Sequence, residues 1–450
     1  MKRATLLTIT LLLTVPVAAC GDDDGGPGPD ATADASLIPD AEVGQDAEVT
    51  TECTLPPRDF WVYDLSVMPP TWLQVPSTCR AQGTHGIVYV ADDIWDADLN
   101  QQDVDQVLTA FDESTPADTG SGIFTLTTAT FGEPTDVDTN DRVILFYSEL
   151  PGYGGYEFDG YIRREDVLGG QNSNGAEMLY LDGVRNDPGG EYMLGVVAHE
   201  FVHMIHLNHD QNEASWLEES LAEASMILSG YFGDLATWVA NDFAPNPNQT
   251  LTTDGQTFNY GAGFLFGGYL VQRYGADFLT ALVEEPADGV TGFEATLTAE
   301  GHSESFRELL GDWALANFLD APTVGAGEFG YSAFTVPAMD AYTSAVPSQV
   351  IPRGLSPHAA RYVVFELTTG TGATLEVALS STSWADLELR YAVYADGDTS
   401  TAEPGSFAMT AQNDVLVISN VGGALDRVVI SALEGGGLNF ANVDVSAALQ

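Results

Sequence analysis

The sequence predicts an α+β domain over residues 53–346, followed by a small all-β domain of sandwich type over 347–450. Three observations carry this expectation. Up to about residue 346, short strand-like runs are interleaved with apolar residues at helical spacing. Beyond it, apolar runs are short and separated by Gly, Ser, Thr and Asp turns. Ahead of both, residues 21–52 are rich in Asp, Gly, Pro and Ala and carry neither a basic nor an aromatic residue, so they cannot bury enough apolar surface to fold. A chain of 450 residues with 44% hydrophobic side chains is long enough for two cores.

Helices are expected over 100–111, 192–208, 216–230, 261–274 and 304–319. Strands are expected at Gly86-Ile87-Val88-Tyr89-Val90, at Val143-Ile144-Leu145-Phe146-Tyr147 and at Ala176-Glu177-Met178-Leu179-Tyr180-Leu181. The last is either a core strand or one that pairs with an extended substrate. In the second domain, strands are expected over 361–367, 375–379, 387–394, 415–418 and 428–430. That domain holds one histidine, His358, and no cysteine, so a metal site of its own is not expected.

The amino terminus carries Lys2 and Arg3, an apolar run over 6–13 and then Val17-Ala18-Ala19-Cys20. This is a short export signal over 1–19, shorter than the roughly 20 apolar residues a membrane-spanning helix needs. Small residues before a cysteine resemble the bacterial lipoprotein processing site. That resemblance implies cleavage before Cys20, acylation of Cys20 and a lipid-anchored protein of the cell envelope, at the outer membrane or cell surface. Residues 20–52 then form a disordered acidic tether. Two cysteines remain, Cys53 and Cys79, and in an exported chain such a pair reads as a disulfide. The formal net charge of −52 argues against a nucleic-acid partner, because phosphate binding needs clustered Lys and Arg, and the only lysine is Lys2.

The chemistry concentrates in Val196-Val197-Ala198-His199-Glu200-Phe201-Val202-His203-Met204-Ile205. Two histidines four residues apart on a helix project from one face, where two imidazoles share one zinc ion. Glu200 stands where a carboxylate accepts a proton from water activated by zinc. A third ligand is needed, and Glu219 from the next helix competes with His209 from the following turn. The His209 spacing resembles the metzincin pattern, in which a glycine lets the chain turn where His206 stands here, and that departure disfavours His209. Ser215 and Glu218 have the spacing of a capping box, which turns Glu218 back onto the helix start and leaves Glu219 and Glu223 as an i, i+4 pair.

The stretch Trp216-Leu217-Glu218-Glu219-Ser220-Leu221-Ala222-Glu223 resembles the Trp-Leu-Asn-Glu-Gly-Leu-Ala-Glu segment of the gluzincins, the glutamate-zinc peptidases. The wider block, through Asn259-Tyr260-Gly261-Ala262-Gly263-Phe264-Leu265-Phe266 to Tyr274-Gly275, resembles hyicolysin-like and immune-inhibitor-like bacterial secreted peptidases. It spans about residues 177–275. The resemblance implies a zincin-like catalytic domain and a zinc-dependent endopeptidase acting on protein or peptide substrates. It makes Glu219 the third ligand beside His199 and His203, and Glu223 a carboxylate that orients a histidine. Glu218 replaces the usual asparagine and Ser220 the usual glycine.

Catalysis also needs a donor aimed at the oxyanion. Tyr260 is the candidate and His302 the reserve. Asp136-x-Asp138-x-Asn140-Asp141 alternates oxygen ligands as calcium loops do, although Tyr147 stands where the loop's final glutamate belongs. A calcium site and a plain acidic turn both remain open. Two other functions compete with the endopeptidase: a zinc aminopeptidase, with Glu177 holding the substrate amine, and a non-catalytic surface-binding protein on a peptidase-like scaffold.

Overall fold

The computed structural model describes residues 53–64, 67, 71–150, 158–233, 239–253, 258–437 and 440–450. The export signal, Cys20 and the tether lie outside the described residues. None of the described helices is long and apolar enough to cross a membrane.

The chain opens with β1 (Arg58–Asp64), β2 (Thr71–Gln82) and β3 (Gly86–Ala91), paired antiparallel. Cys53 and Cys79 are joined, which fastens the start of the described chain to β2. α1 (Gln101–Asp112) begins with a capping box between Asn100 and Asp103. α2 (Ile123–Phe131) leads to β4 (Val143–Ser148), which lies parallel to β3. After β5 (Gly160–Ile162) and the short α3 (Arg164–Leu168), β6 (Met178–Asp182) adds parallel to β4, and β5 pairs antiparallel with its far side. The sheet order is β1-β2-β3-β4-β6-β5.

Strands β3, β4 and β6 are buried along their whole length, and the alternation of their side chains divides two cores. Val88, Val90, Leu145 and Leu179 face the helices, whereas Ile87, Tyr89, Ile144, Phe146 and Tyr180 pack with Phe60 on the opposite face. This two-sided burial is why these segments read as unbroken apolar runs.

Helices α4 (Glu191–His209) and α5 (Ser215–Ser229) follow. After a single π turn (Val239–Phe243) come α6 (Tyr260–Tyr274), α7 (Ala276–Glu284), α8 (Gly289–Ala299) and α9 (Phe306–Leu319). α5 ends at Gly230, whose left-handed backbone lets Gly230 N and Tyr231 N donate to Ile227 O and Met226 O. Four described helices are absent from the expectation, the five-residue α3 among them. In α2, threonines interrupt an apolar run; α7 follows α6 directly after Gly275, where φ is +77°; and α8 starts on a glycine.

The remaining strands are β7 (Ala341–Ala345), β8 (Ile351–Leu355), β9 (Ala360–Glu366), β10 (Ala373–Ser380), β11 (Leu387–Ala395), β12 (Asp398–Phe407), β13 (Asn413–Val421), β14 (Arg427–Glu434) and β15 (Ala441–Leu449). They form a four-stranded sheet, β13-β10-β15-β8, facing a five-stranded sheet, β12-β11-β14-β9-β7, in a sandwich-like arrangement. Val363, Phe365, Leu375, Val377, Val428 and Ile430 fill the space between them. β7 lies ahead of residue 347 and pairs with β9, so the five-stranded sheet takes in chain from before the expected boundary. The other face of that sheet is also covered. Tyr362, Val364, Val429 and Leu433 join the same core as Leu309, Trp313 and Ala316 of α9. The Tyr362 hydroxyl donates to Ala314 O at 2.7 Å, and Arg390 Nε to Asp312 Oδ1 at 2.5 Å.

α5 and α6 approach closely at Gly267, where an added Cβ would stand 2.3 Å from Ser220 O and 3.1 Å from Ala224 N. Those are backbone atoms, so the contact can be relieved only by parting the helices. Gly267→Ala is therefore expected to destabilise the protein by about 1–3 kcal/mol. Urea unfolding measures the effect, and an unchanged midpoint would contradict the packing argument.

Candidate metal centre

α4 is apolar on nearly every side and is buried from Met193 to Leu207, so it is a central helix with no solvent face to receive polar groups. His199, Glu200 and His203 nevertheless lie on it, at 0%, 0% and 1% exposure. What receives them is α5. Glu219 Oε2 lies 3.3 Å from His199 Nε2 and 3.8 Å from His203 Nε2, and the two Nε2 atoms are 3.1 Å apart. On the outer sides of the rings, Glu223 Oε1 is 3.4 Å from His199 Nδ1 and Glu218 Oε1 is 3.0 Å from His203 Nδ1.

A carboxylate at each Nδ1 favours the proton there, which leaves the Nε2 lone pairs turned towards each other and towards a third acceptor. Converging acceptors repel unless a cation lies between them. Donors on a tetrahedron with bonds of about 2.0–2.1 Å stand about 3.3 Å apart, close to the separations above. The two imidazoles and Glu219 therefore fit zinc both in donor type and in spacing.

Glu200 points from the same helix, and both of its carboxylate oxygens are buried without a hydrogen-bond partner. Burial pushes its carboxyl up to about 7, against the opposing pull of the His203 and His199 rings. β5 closes over it: a Cβ on Gly160 would stand 2.8 Å from Glu200 Cγ and from Val196 Cγ1. Only glycine lets the strand come so near the helix. At His203 burial opposes the charged ring, but the carboxylates of Glu219 and Glu218 outweigh it and raise the pKa. Tyr260 opens α6 beside the cluster, its ring centroid 6.5 Å from that of His199. The helix start is fixed there by Asn259, whose Oδ1 accepts from Ala262 N at 2.8 Å.

Several expectations are corrected. There is no capping box at Ser215: the N-cap is Ala214, Ser215 is the first helical residue, and Glu218 reaches His203 instead. A helical step of about 100° lets Glu218 and Glu219 straddle the ring pair, a signal the sequence contained. Ser220, at the usual glycine, donates to Trp216 O at 2.7 Å and is fully buried. α4, expected over 192–208, runs through His206 to His209, whose exposed ring lies 3.2 Å from Glu133 O, away from the cluster. His206 is buried with neither ring nitrogen hydrogen-bonded, and burial lowers its pKa.

His302 packs on Tyr274 and Phe278, at the end of α6 opposite Tyr260 and roughly 21 Å along that helix. It is not an alternative oxyanion donor. β6 is paired on both sides, so the sheet edge beside the cluster is β5 and not the 176–181 strand. Glu177 lies four residues before Leu181, the partner of Gly160, and hence roughly 13 Å from Glu200 along the strand. It faces Asp136 and Asp138 and cannot hold a substrate amine at the cluster. In the 136–141 loop, Asn140 Oδ1 accepts from Arg142 N at 2.7 Å, and Glu177 joins Asp136 and Asp138 in an acidic group.

No protein-family profile and no curated protein matches the chain. Among solved structures, the pre-peptidase C-terminal domain of collagenase from Bacillus anthracis is similar at TM-score 0.19 and 6% identity, covering 24% of this chain and 94% of that one. A periplasmic inhibitor of g-type lysozyme from Aeromonas hydrophila is similar at TM-score 0.16 and 15% identity, over 25% of this chain and 100% of that one. A GH115 4-O-methyl-α-glucuronidase gives TM-score 0.15 at 10% identity, over 70% and 53%. Similarities this low bear on neither fold family nor activity.

Two outcomes follow from the geometry. Glu219→Ala should abolish stoichiometric zinc in the purified chain, whereas His209→Ala should leave it unchanged by metal analysis; the reverse would move the third ligand to His209. Glu200 has a folded pKa of about 7 against an ordinary 4.5. It therefore costs the metal-free fold nothing below about pH 4.5, increasingly more up to about 7 and a constant amount above. Glu200→Gln should accordingly stabilise the metal-free chain by on the order of 3 kcal/mol at pH 8 and by little at pH 4.5. Urea unfolding at the two pH values checks the sign.

Proposed function

We propose that the chain is a zinc-dependent endopeptidase of gluzincin type on a zincin-like scaffold, exported and anchored to the cell envelope through a lipid on Cys20. The observation that carries this reading is the buried convergence of His199, His203 and Glu219 with an unpartnered Glu200 beside them. Zinc held by those three residues would supply Lewis acidity and lower the pKa of water to about 7.

Glu200 accepts a proton from the attacking water and passes it to the leaving amine, a role open to a buried carboxylate whose oxygens hold no other hydrogen bond. Glu223 and Glu218 hold the two imidazoles in the tautomer that ligation requires. Tyr260, whose ring lies beside that of His199, would donate to the oxygen that becomes negative in the transition state. An extended peptide pairing with the edge strand β5 would bring its backbone over Glu200 at Gly160. An amine-anchoring carboxylate for the aminopeptidase reading has lost its candidate, since Glu177 is engaged elsewhere.

Glu200→Gln keeps every ligand and removes only the proton acceptor. It should retain zinc and lose at least ~100-fold in kcat on a denatured protein substrate. Mass spectrometry of the products separates the readings. Internal cuts support an endopeptidase, stepwise trimming an aminopeptidase, and no cutting by zinc-loaded wild type a binding protein.

A further inference from the structure

A second group of acceptors converges about one strand length from the first. The loop between α2 and β4 is wound by its own side chains: Asp136 Oδ1 accepts from Asn140 N at 3.0 Å and Asp141 N at 3.2 Å, and Asn140 Nδ2 donates to Asp138 Oδ2 at 2.8 Å. These bonds occupy one oxygen of each aspartate. Glu177, at the foot of β6, is 1% exposed and accepts from Val137 N through Oε1 at 2.6 Å. Its Oε2 is buried without a hydrogen-bond partner, and so is Asp138 Oδ1. One oxygen each from Asp136, Asp138 and Glu177 lies within 4.8 Å of the others.

Three carboxylates brought together in this way repel one another, and burying an unpartnered carboxylate oxygen is costly. Hydrogen bonding within the loop explains its shape but leaves these two oxygens unsatisfied. Burial and the Asp136 charge push the Asp138 carboxyl up despite the opposing pull of the Arg58 guanidinium, which donates to the carbonyl of Asn174. A dication is the ligand that relieves the repulsion and satisfies the buried oxygens together.

We propose that Asp136, Asp138 and Glu177 form a structural calcium site. The donor set is all oxygen, which selects a hard cation over zinc. Carboxylates on a winding loop, open to water at the Asp136 side, suit the larger and more variable shell of calcium better than the strict octahedron of magnesium. The ion ties the 136–142 loop to the start of β6, beside the point where Ile144 N donates to Glu177 O at 2.7 Å. It thereby locks β4 and β6 in register at the end of the sheet farthest from Gly160. This site stands independently of the zinc reading.

The test is calcium titration into the purified chain after chelation and preincubation with zinc, followed by calorimetry and thermal unfolding. One calcium ion should bind per chain and raise Tm by roughly 5 °C at 100-fold excess over Kd, with magnesium raising it less. The acidic surface attracts cations diffusely, so the variants carry the decision. Asp136→Asn, at the exposed rim, should weaken calcium binding at least tenfold without changing zinc content. Glu177→Gln keeps the acceptor for Val137 N and should remove the calcium-dependent Tm rise altogether. Should Glu177→Gln not fold, Asp138→Asn replaces it, and Asp136→Asn decides alone if neither folds. The proposal is overturned if wild type shows no calcium-dependent heat or Tm rise, or if the folded variants bind calcium as tightly as wild type does.

Discussion

Holding His199, Glu200, His203, Glu219 and Glu223 inside an apolar core is the constraint from which most of the architecture follows. Each is less than a tenth exposed, and their neighbours are Val196, Phe201, Leu217, Leu221 and Ala222. Polar groups in such surroundings are costly unless they meet one another in good geometry. α4 and α5 supply that geometry by facing each other along the histidine row. α6 packs closely on α5 at Gly267, one helical step round from Glu219 and Glu223. A cluster on two packed helices loses little conformational freedom when it binds an ion, whereas the same residues on loops would have to be ordered first.

The carboxylates outnumber the imidazoles, and this imbalance is informative. Glu218, Glu219, Glu223 and Glu200 surround two rings, so the cavity is strongly anionic and suited to a dication rather than to an anionic ligand. Glu218 gives His203 a charged partner where an amide is usual in the resembling segment, so both histidines have a carboxylate at Nδ1. Glu200 differs from the others in that neither ring nitrogen pairs with it, and in the proposed mechanism that sets the group that would move a proton apart from those that would hold the rings.

The all-β region is more than an appendage. Its five-stranded sheet uses one face for the sandwich core and the other for α9, so Val363 and Val364, adjacent in sequence, belong to two different cores. Among the described residues the four-stranded sheet has no such second partner, and Val415 and Val417 on its edge strand β13 are exposed. Arg390 and Arg307 from opposite sides of the α9 contact share Glu388, adding ion pairs to the apolar seam.

The sequence by itself determined the local features: the helix bearing His199 and His203, the ends of α1 and α5, the unbroken runs that became β3 and β4, and the pairing of Cys53 with Cys79. Each depends on period, composition or residues close in the chain, which is the information a sequence carries openly. Only the tertiary structure decided which acceptors face each other. Glu218 could cap its own helix or approach His203, and Glu177 could line a substrate site or complete the acidic loop; spacing alone fits both choices. What settles them is the docking of α5 on α4 and the register of β6 against β4 and β5, contacts between segments tens of residues apart. Likewise β5, three residues long and carrying a glycine, has no strand signature in the chain. It exists because β6 offers it a ladder, and because Gly160 lets it settle onto Glu200.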